Sequence, residues 1–468
     1  MVRGEASQRG SSGRPRGSMF SAFEVREFRW VWAGALSGNS GRFAVILVAG
    51  WEAYRLGHHS SVWPSMVSLL LLVPSMFFGL FAGSVADRHN RALMATTGQL
   101  LNAAACAIAA MLVATGSLDL LSLMLVSAAV GVGNSVQGPA WQAMIPEIVG
   151  PERLLNAGMT ARIAQQGAEL TGPAIGTIVL TTAGPGATFL LCTVFYASGL
   201  TMFWHIRSAV STPDASRSKA GVLAPIAEGL TYVRRQAPIG MLLLWVGLHC
   251  SLTMASIGIL PALATSNLGG NAGAYGLLLA AFGFGSFLGP LLMMWLAGRV
   301  SVAATLIVAG VASGLPLVSM GLVHQIDVAV ASSGVAGAAQ AVFMAAIYSA
   351  NQGVSVPSMR GRVASVQLSL TTGAMGLASI GWGALVALVA PGVVLAVPGA
   401  LFVAACIPFA LRRRAIATAV ESARTKDFGS PGVLARQAPP DGAVLAARLT
   451  DAARLTHADG VDRDTLGS

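Results

Sequence analysis

The chain has 468 residues, 54% of them hydrophobic and only 10% charged, with a formal net charge of +10. Soluble domains carry roughly 25% charged residues, so a water-facing surface is excluded for most of this sequence. The positive balance would suit nucleic acid, but where the basic residues fall argues for membrane topology, and no nucleic-acid partner is expected.

Residues 1–29 are rich in Arg, Ser and Gly and hold no apolar segment before Trp30; they read as a disordered cytoplasmic arm, not a cleaved signal peptide. Apolar runs of about 20 residues follow, each long enough to cross a hydrocarbon core of roughly 30 Å. Inside such a core the backbone must satisfy its own hydrogen bonds, so the spans are predicted to be helices. The first six lie near 30–54, 62–86, 92–114, 120–144, 157–181 and 187–206, an N-terminal six-helix bundle over 30–206. A cytoplasmic connector occupies 207–238, within which VLAPIAEGLTYVRRQ is predicted to form an amphipathic helix on the membrane interface. Spans near 239–264, 273–297, 302–322, 326–349, 363–388 and 391–411 make a C-terminal bundle over 239–411. The tail, 412–468, is expected to be mostly disordered and cytoplasmic, with a short helix at 442–457.

With twelve spans, all but two of the 29 lysines and arginines fall on the side holding both termini; the exceptions are Arg42 and Arg55. That bias places both termini in the cytoplasm and the chain in the inner (plasma) membrane of a bacterium. The two halves echo each other weakly, Asp119 with Asp327 in short external loops and Gly176 with Gly381 in the fifth and eleventh spans. The expected fold is therefore an all-α membrane protein of twelve transmembrane helices in two six-helix pseudo-repeats, with a substrate site near the midplane between them. The 55 glycines suit helices that approach closely in a bilayer. Cys106, Cys192, Cys250 and Cys406 sit alone in separate spans and read as small core residues.

The loop between spans two and three reads GSVADRHNRALM, from Gly83 to Met94. It resembles the signature loop of the major facilitator superfamily, Gly, three residues, Asp-Arg, two residues, Arg, although Ala92 stands where a second basic residue is usual. The resemblance implies a cytoplasmic gating loop. Gly83 lets helices approach, Asp87 latches to the other half, and Arg88 and Arg91 hold the cytoplasmic face. GPAWQAMIPEIVGPERLLNAG (138–158), EGLTYVRRQAP (228–238) and MRGRVASVQLSLTTGAMGLASIGWGAL (359–385) resemble the branch of enterobactin-exporter and macrolide-efflux proteins. That branch implies export driven by proton uptake. GAELTGPAIG (167–176) is similar to the glycine-proline motif of superfamily antiporters, in which Pro173 kinks the helix and Gly172 and Gly176 seal it against a neighbour; a merely packed, kinked helix fits as well. The fourth span, LLSLMLVSAAVGVGNSVQGPAW, departs from many proton antiporters in having no arginine. The position of Glu169 is often arginine in relatives of this branch.

Ionised side chains near a bilayer centre cost at least about 2.5 to 3.5 kcal/mol on insertion scales, which marks those that remain as functional candidates. Arg42 in the first span, Glu169 in the fifth and His249 in the seventh stand out. Glu169 shares a helical stripe with Arg162, Gln165, Gln166, Gly172 and Gly176. Movement of the carboxyl between an apolar environment and the neighbourhood of Arg42 would load and release a proton; a static Arg42–Glu169 ion pair that only orients helices fits equally. His249 reads as a proton or substrate group, or as a packing residue. Asn134, Gln137 and Trp141 form one face of the fourth span, and Gln340 and Gln367 add polar groups to the second half, either for an amphipathic solute or for interhelical hydrogen bonds.

No phosphate-binding GxxxxGK[ST] loop and no metal-ligand spacing occurs, so neither enzyme activity, cofactor nor metal is expected. The expected function is proton-coupled secondary active export of a small amphipathic molecule (a siderophore, macrolide-like antibiotic or related metabolite) by alternating access. The expected partners are that substrate and the lipid bilayer, the chain acting as a monomer. The alternatives are a proton symporter importing a nutrient, and a membrane sensor that moves nothing.

Overall fold

The computed structural model describes residues 21–86, 90–206, 223–296 and 299–411, and among these the regular structure is helical throughout. A 3-10 turn at Ser21–Glu24 leads into α1 (Arg26–Leu56), α2 (Val62–Ala86) and α3 (Arg91–Ala114). The helical stretch Leu120–Ile206 is broken at Gly150 (φ 71°) and Gly184 (φ 82°) into α4 (120–149), α5 (151–183) and α6 (185–206). Glycine enters positive φ without strain, and the proline after each, Pro151 and Pro185, is already set for the first turn of a new helix. The remaining helices are α7 (Leu223–Arg235), α8 (Ala237–Asn267), α9 (Ala272–Leu296), α10 (Val302–Leu322), α11 (Ile326–Val354), α12 (Arg360–Leu385) and α13 (Pro391–Leu411). All but α7, with its 13 residues, are long enough to cross a bilayer. Two lobes result, α1–α6 and α8–α13.

Three details differ from the sequence reading. Ser21–Glu24, inside the expected arm, form a helical turn, held because Glu24 pairs with Arg153 (3.0 Å) and the Ser21 hydroxyl accepts from Asn156 (2.6 Å). The loop expected after residue 144 is absent, since α4 runs on to Gly150 and α5 starts at the next residue. And α8 is not a regular helix: a widened π turn at Cys250–Met254, a tight 3-10 turn at Ala255–Ile259 and a second π turn at Leu263–Asn267 interrupt it. Pro261 within that segment has no N–H to continue the ladder. The helix expected in the connector does form as α7, docked on the second lobe by Glu228 to Arg362 (2.5 Å) and by the Tyr232 hydroxyl, which accepts from the Val356 amide (3.3 Å).

Each lobe packs on close crossings and large buried side chains. A Cβ on Gly172 would lie 2.5 Å from the Ser40 carbonyl oxygen, so α5 presses directly on the backbone of α1. In the second lobe Trp245 stacks on Phe409 (4.0 Å) and meets Phe343 edge-on (5.3 Å). Leu100, Ile108, Met111, Leu121, Leu125, Trp295, Val308 and Leu377 instead point outward, an apolar surface that water would not tolerate and lipid does.

The lobes meet along two helix pairs, α5 with α9 and α2 with α12. At the face opposite residues 21 and 411 they also close directly. The Tyr54 and Thr265 hydroxyls lie 2.8 Å apart, and Trp51 stacks on Tyr275 with centroids 6.4 Å apart.

Candidate functional site

Between the two seams lies a cavity of about 230 Å³. The first lobe supplies Arg42 and Phe43 from α1, Ser68 and Leu72 from α2, and Gln165, Glu169 and Pro173 from α5. The second supplies Met254 and Ile257 from α8, Phe282 from α9, Met320 from α10, Gln340 from α11 and Met375 from α12. Both lining charges belong to the first lobe; the second presents mainly leucine, methionine and phenylalanine, with Thr253, Ser256, Ser333 and Gln340 as its polar groups.

Local packing explains why Arg42 and Glu169 share a level. Beside the Gly172 crossing, the Ser40 hydroxyl meets that of Thr171 at 2.7 Å, which fixes α1 against α5 within one turn of both charges. Both are partly exposed, to the cavity. They do not form an ion pair, and Arg42 Nε has no hydrogen-bond partner. The static pair left open by the sequence is therefore not what holds these helices.

Glu169 also touches the opposite lobe. A Cβ on Gly283 of α9 would lie 2.0 Å from the Glu169 carbonyl oxygen, so the two backbones are in contact there. One turn away, Gln166 Nε2 donates to the Ser286 carbonyl (3.1 Å) and to the Ser286 hydroxyl (2.7 Å). That hydroxyl lies beside the Glu169 carboxyl. Gln166, expected in the cavity, is thus a clasp between lobes.

The other candidates scatter. Gln165 lines the cavity and accepts from Arg162 (3.3 Å); with Trp141 the same two residues line a second hollow of about 190 Å³ between α4 and α5. Asn134 accepts from Asn102 of α3 (3.0 Å), and Gln137 is buried against Gly38, both inside the first lobe. Gln367 accepts from Asn351 (2.9 Å) within the second lobe. His249 sits off the cavity, its ring stacked on Phe343 (4.2 Å) and edge-on to Phe402 (5.0 Å), with neither ring nitrogen partnered. Of the motif residues, Pro173 lines the cavity while Gly172 and Gly176 face α1. Arg91 ties the start of α3 to Glu147 and the Ala143 carbonyl of α4. Asp87 and Arg88 lie outside the described residues, and of Gly83 only its place in α2 is described.

Two groups escaped the sequence reading. Glu52, with a side chain only 2% exposed, is held by Arg55 (2.6 Å) in the last turns of α1, where it reads as a span boundary. Ser286 carries no signal at all, being one serine in an apolar run.

A family model described as transmembrane secretion effector, MFS_3, matches residues 17–447. The chain belongs to this family. It is accordingly a multi-pass membrane protein of the major facilitator type. Among curated proteins it is 29% identical over 269 residues to the enterobactin exporter EntS of Citrobacter koseri, which covers 56% of this chain and 62% of that one. To EntS of Escherichia coli O1:K1 it is 27% identical over 330 residues, covering 69% and 77%. The chain thus spans somewhat under two thirds of the Citrobacter protein's length. Among solved structures, a POT family transporter in complex with 5-aminolevulinic acid superimposes with a TM-score of 0.69 at 10% identity, over 86% of this chain and 98% of that one. A bacterial homologue of the lysosomal transporter Spinster, inward-facing and unoccupied, gives 0.62 at 15% identity, over 87% and 99%. These two likenesses speak to the fold alone.

Proposed function

We propose that this transporter exports a small amphipathic molecule from a bacterial cytoplasm in exchange for protons, with Glu169 as the proton carrier. The observation that carries the reading is the cavity itself: one carboxyl and one guanidinium, not joined in an ion pair, share an apolar chamber between two lobes. A charge kept so far from water is expensive, and a carboxyl that can take up a proton relieves that cost in one half of a cycle. The similarity to enterobactin exporters supports the outward direction. Both chain ends are cytoplasmic in this reading, the protein works as a monomer in the bilayer, and the proton gradient is its only energy source.

The cycle follows from that geometry. With the lobes parted on the outer side, Glu169 takes a proton as cargo leaves; the lobes rock, and on the inner side the proton departs and cargo binds. The cavity, about 230 Å³, lies below the roughly 300–1,000 Å³ of sites for drug-sized ligands. A compact cargo fits as the chamber stands, whereas a macrocycle needs the lobes to part further. In inverted vesicles acidified inside, the protein is expected to accumulate an effluxed dye or siderophore. Glu169→Gln is expected to lower that accumulation by about tenfold or more, within the usual span of coupling energies. Accumulation undiminished in Glu169→Gln removes Glu169 from the mechanism.

A further inference from the structure

The hollow of about 190 Å³ between α4 and α5 has no part in the proposed cycle, yet it has the makings of a binding site. It lies toward the face of residue 21, where Asn156 and Arg153, from the first turns of α5, hold Ser21 and Glu24. Trp141 and Ile145 of α4 and Leu154 of α5 give it apolar walls, and Arg162 is the single charge among its lining residues. No carboxylate of the described residues pairs with that guanidinium. Its hydrogen bond, from Nη1 to Gln165 Oε1, is long at 3.3 Å, which leaves most of the N–H fork for an incoming acceptor. The space reaches the backbone as well: a Cβ on Gly158, which lines the hollow, would meet no atom within 4 Å.

Gln165 lines this hollow and the central cavity alike, so the two chambers adjoin at one side chain. Together they hold about 420 Å³, inside the roughly 300–1,000 Å³ of sites for drug-sized ligands, which the cavity alone does not reach. Arg162, Gln165 and Glu169 follow one another along one stripe of α5, and the rise of the helix sets the Arg162 level about 10 Å from that of Glu169. We propose that the hollow is a head-group subsite on the cytoplasmic side of the cargo path, and that the cargo is an amphipathic anion. Its charged end sits on Arg162 while its apolar body reaches past Gln165 into the central cavity. The two chambers divide by charge. In the cavity an ionised Glu169 offsets Arg42, and leucine, methionine and phenylalanine make up most of the remaining wall, so an apolar body is favoured there over an anion. In the hollow no lining carboxylate offsets Arg162, and an anion bound to it makes charge-assisted hydrogen bonds, roughly twice as strong as neutral ones. An ionised carboxyl at the deep end repels a second anion, so cargo enters body first and keeps its charge toward the cytoplasm. An anion on Arg162 also draws it off Gln165, and the amide between the chambers is then free to swing aside.

This inference rests on the proposed export function, but its test reads equilibrium binding without a gradient, so it stands or falls apart from the role of Glu169 as proton carrier. The probes are anilinonaphthalenesulfonate and phenylnaphthylamine, the same rings with and without a sulfonate. Each is dialysed against the full chain in phosphatidylcholine nanodiscs, with empty discs as the baseline. The sulfonated probe is expected to bind more tightly. Arg162→Gln should weaken it about tenfold, in keeping with the loss of hydrogen bonds to a charged group, and leave the neutral probe unchanged. Arg162→Lys, which keeps the charge, should recover most of the loss. Gly158→Leu, which fills the hollow from an open position, should act as Arg162→Gln does, and Ser256→Phe, which narrows the cavity, should weaken both probes. Equal losses for the two probes in Arg162→Gln, or none in Arg162→Gln and Gly158→Leu, overturn the head-group subsite. Sulfonate binding untouched by Ser256→Phe overturns the joint use of the two chambers. If phosphatidylglycerol in the discs abolishes the Arg162-dependent part of sulfonate binding, the hollow holds a lipid head group and the assignment to cargo falls.

Discussion

His249 shows how a residue's environment decides between two chemistries. It stood out in the sequence with Arg42 and Glu169, yet its ring is stacked among phenylalanines with neither nitrogen bonded. An unsatisfied buried polar group costs about 1–3 kcal/mol, and an apolar ring of similar shape removes that cost. His249→Phe is therefore expected to leave transport unchanged and to hold or raise thermal stability by about 1 kcal/mol, read from the melting of purified protein in detergent. Loss of transport in a well-folded variant would return His249 to the mechanism. At this scale the sequence was an uneven guide. Arg42 and Glu169 stood out because charge is rare in these spans, and both reach the cavity. Ser286 and Glu52 did not: a serine is unremarkable in a bilayer helix, and a carboxylate near a span's end looks like a boundary.

Helices as units were easier to read than their rotation. Apolar length located the spans, while the turns at Gly150-Pro151 and Gly184-Pro185 were not placed by it. Which face of a span looks inward was not legible, because in a bilayer both the lipid-facing and the buried faces are apolar and the helical stripe fades. For Asn134 and Gln137 a place on the cavity and a place between helices were both open, and the structure has Asn134 bonded to Asn102 and Gln137 packed against Gly38, while Gln166 bonds across the lobes. The irregular course of α8 was equally hidden, since it follows from contacts such as Gly258, where a Cβ would lie 2.3 Å from Ser65 Oγ of α2. Helix crossings give the sharpest test at this scale. Gly172→Ala sets a methyl against the Ser40 carbonyl, and overpacking of this kind typically costs about 1–3 kcal/mol. It should lower the melting temperature and transport together, whereas Gly353→Ala in α11, with no atom near the added methyl, should change neither. An unaffected Gly172→Ala would mean that α1 and α5 are not held by that contact. Asp119 offers a pH test at the start of α4. It accepts from the Ser122 amide (2.9 Å) while Ser122 Oγ accepts from the Asp119 amide (3.1 Å), and the hydrogen bonds from Ser122 hold the Asp119 carboxyl below the ordinary value of 3.8. A depressed carboxylate supports the fold above its unfolded value and loses that support as pH falls through the folded one. Faster amide exchange at Ser122 is expected only below about pH 3.8; the same onset in Asp119→Asn would assign the fraying to another group.

For the molecule as a whole, the question is whether the two lobes must separate on the side away from residues 21 and 411. The α2–α12 seam permits a direct answer. A Cβ on Gly376 would lie 3.9 Å from Leu72 Cβ, close to the spacing of about 3.8 Å found in disulfides. Leu72→Cys with Gly376→Cys should therefore crosslink under mild oxidation and release under a reductant. Leu72 also lines the cavity, so the reduced double variant is the proper reference for activity. Net transport is expected to stop on crosslinking and to return on reduction, because the bond pins two elements that belong to different lobes. Cargo presented at the face of residues 21 and 411 should still bind to the crosslinked protein, since nothing in that bond obstructs the charged wall formed by Arg42 and Glu169. Full transport through a fully crosslinked protein would show that the seam never opens, and a rocking cycle about the central cavity would then be untenable.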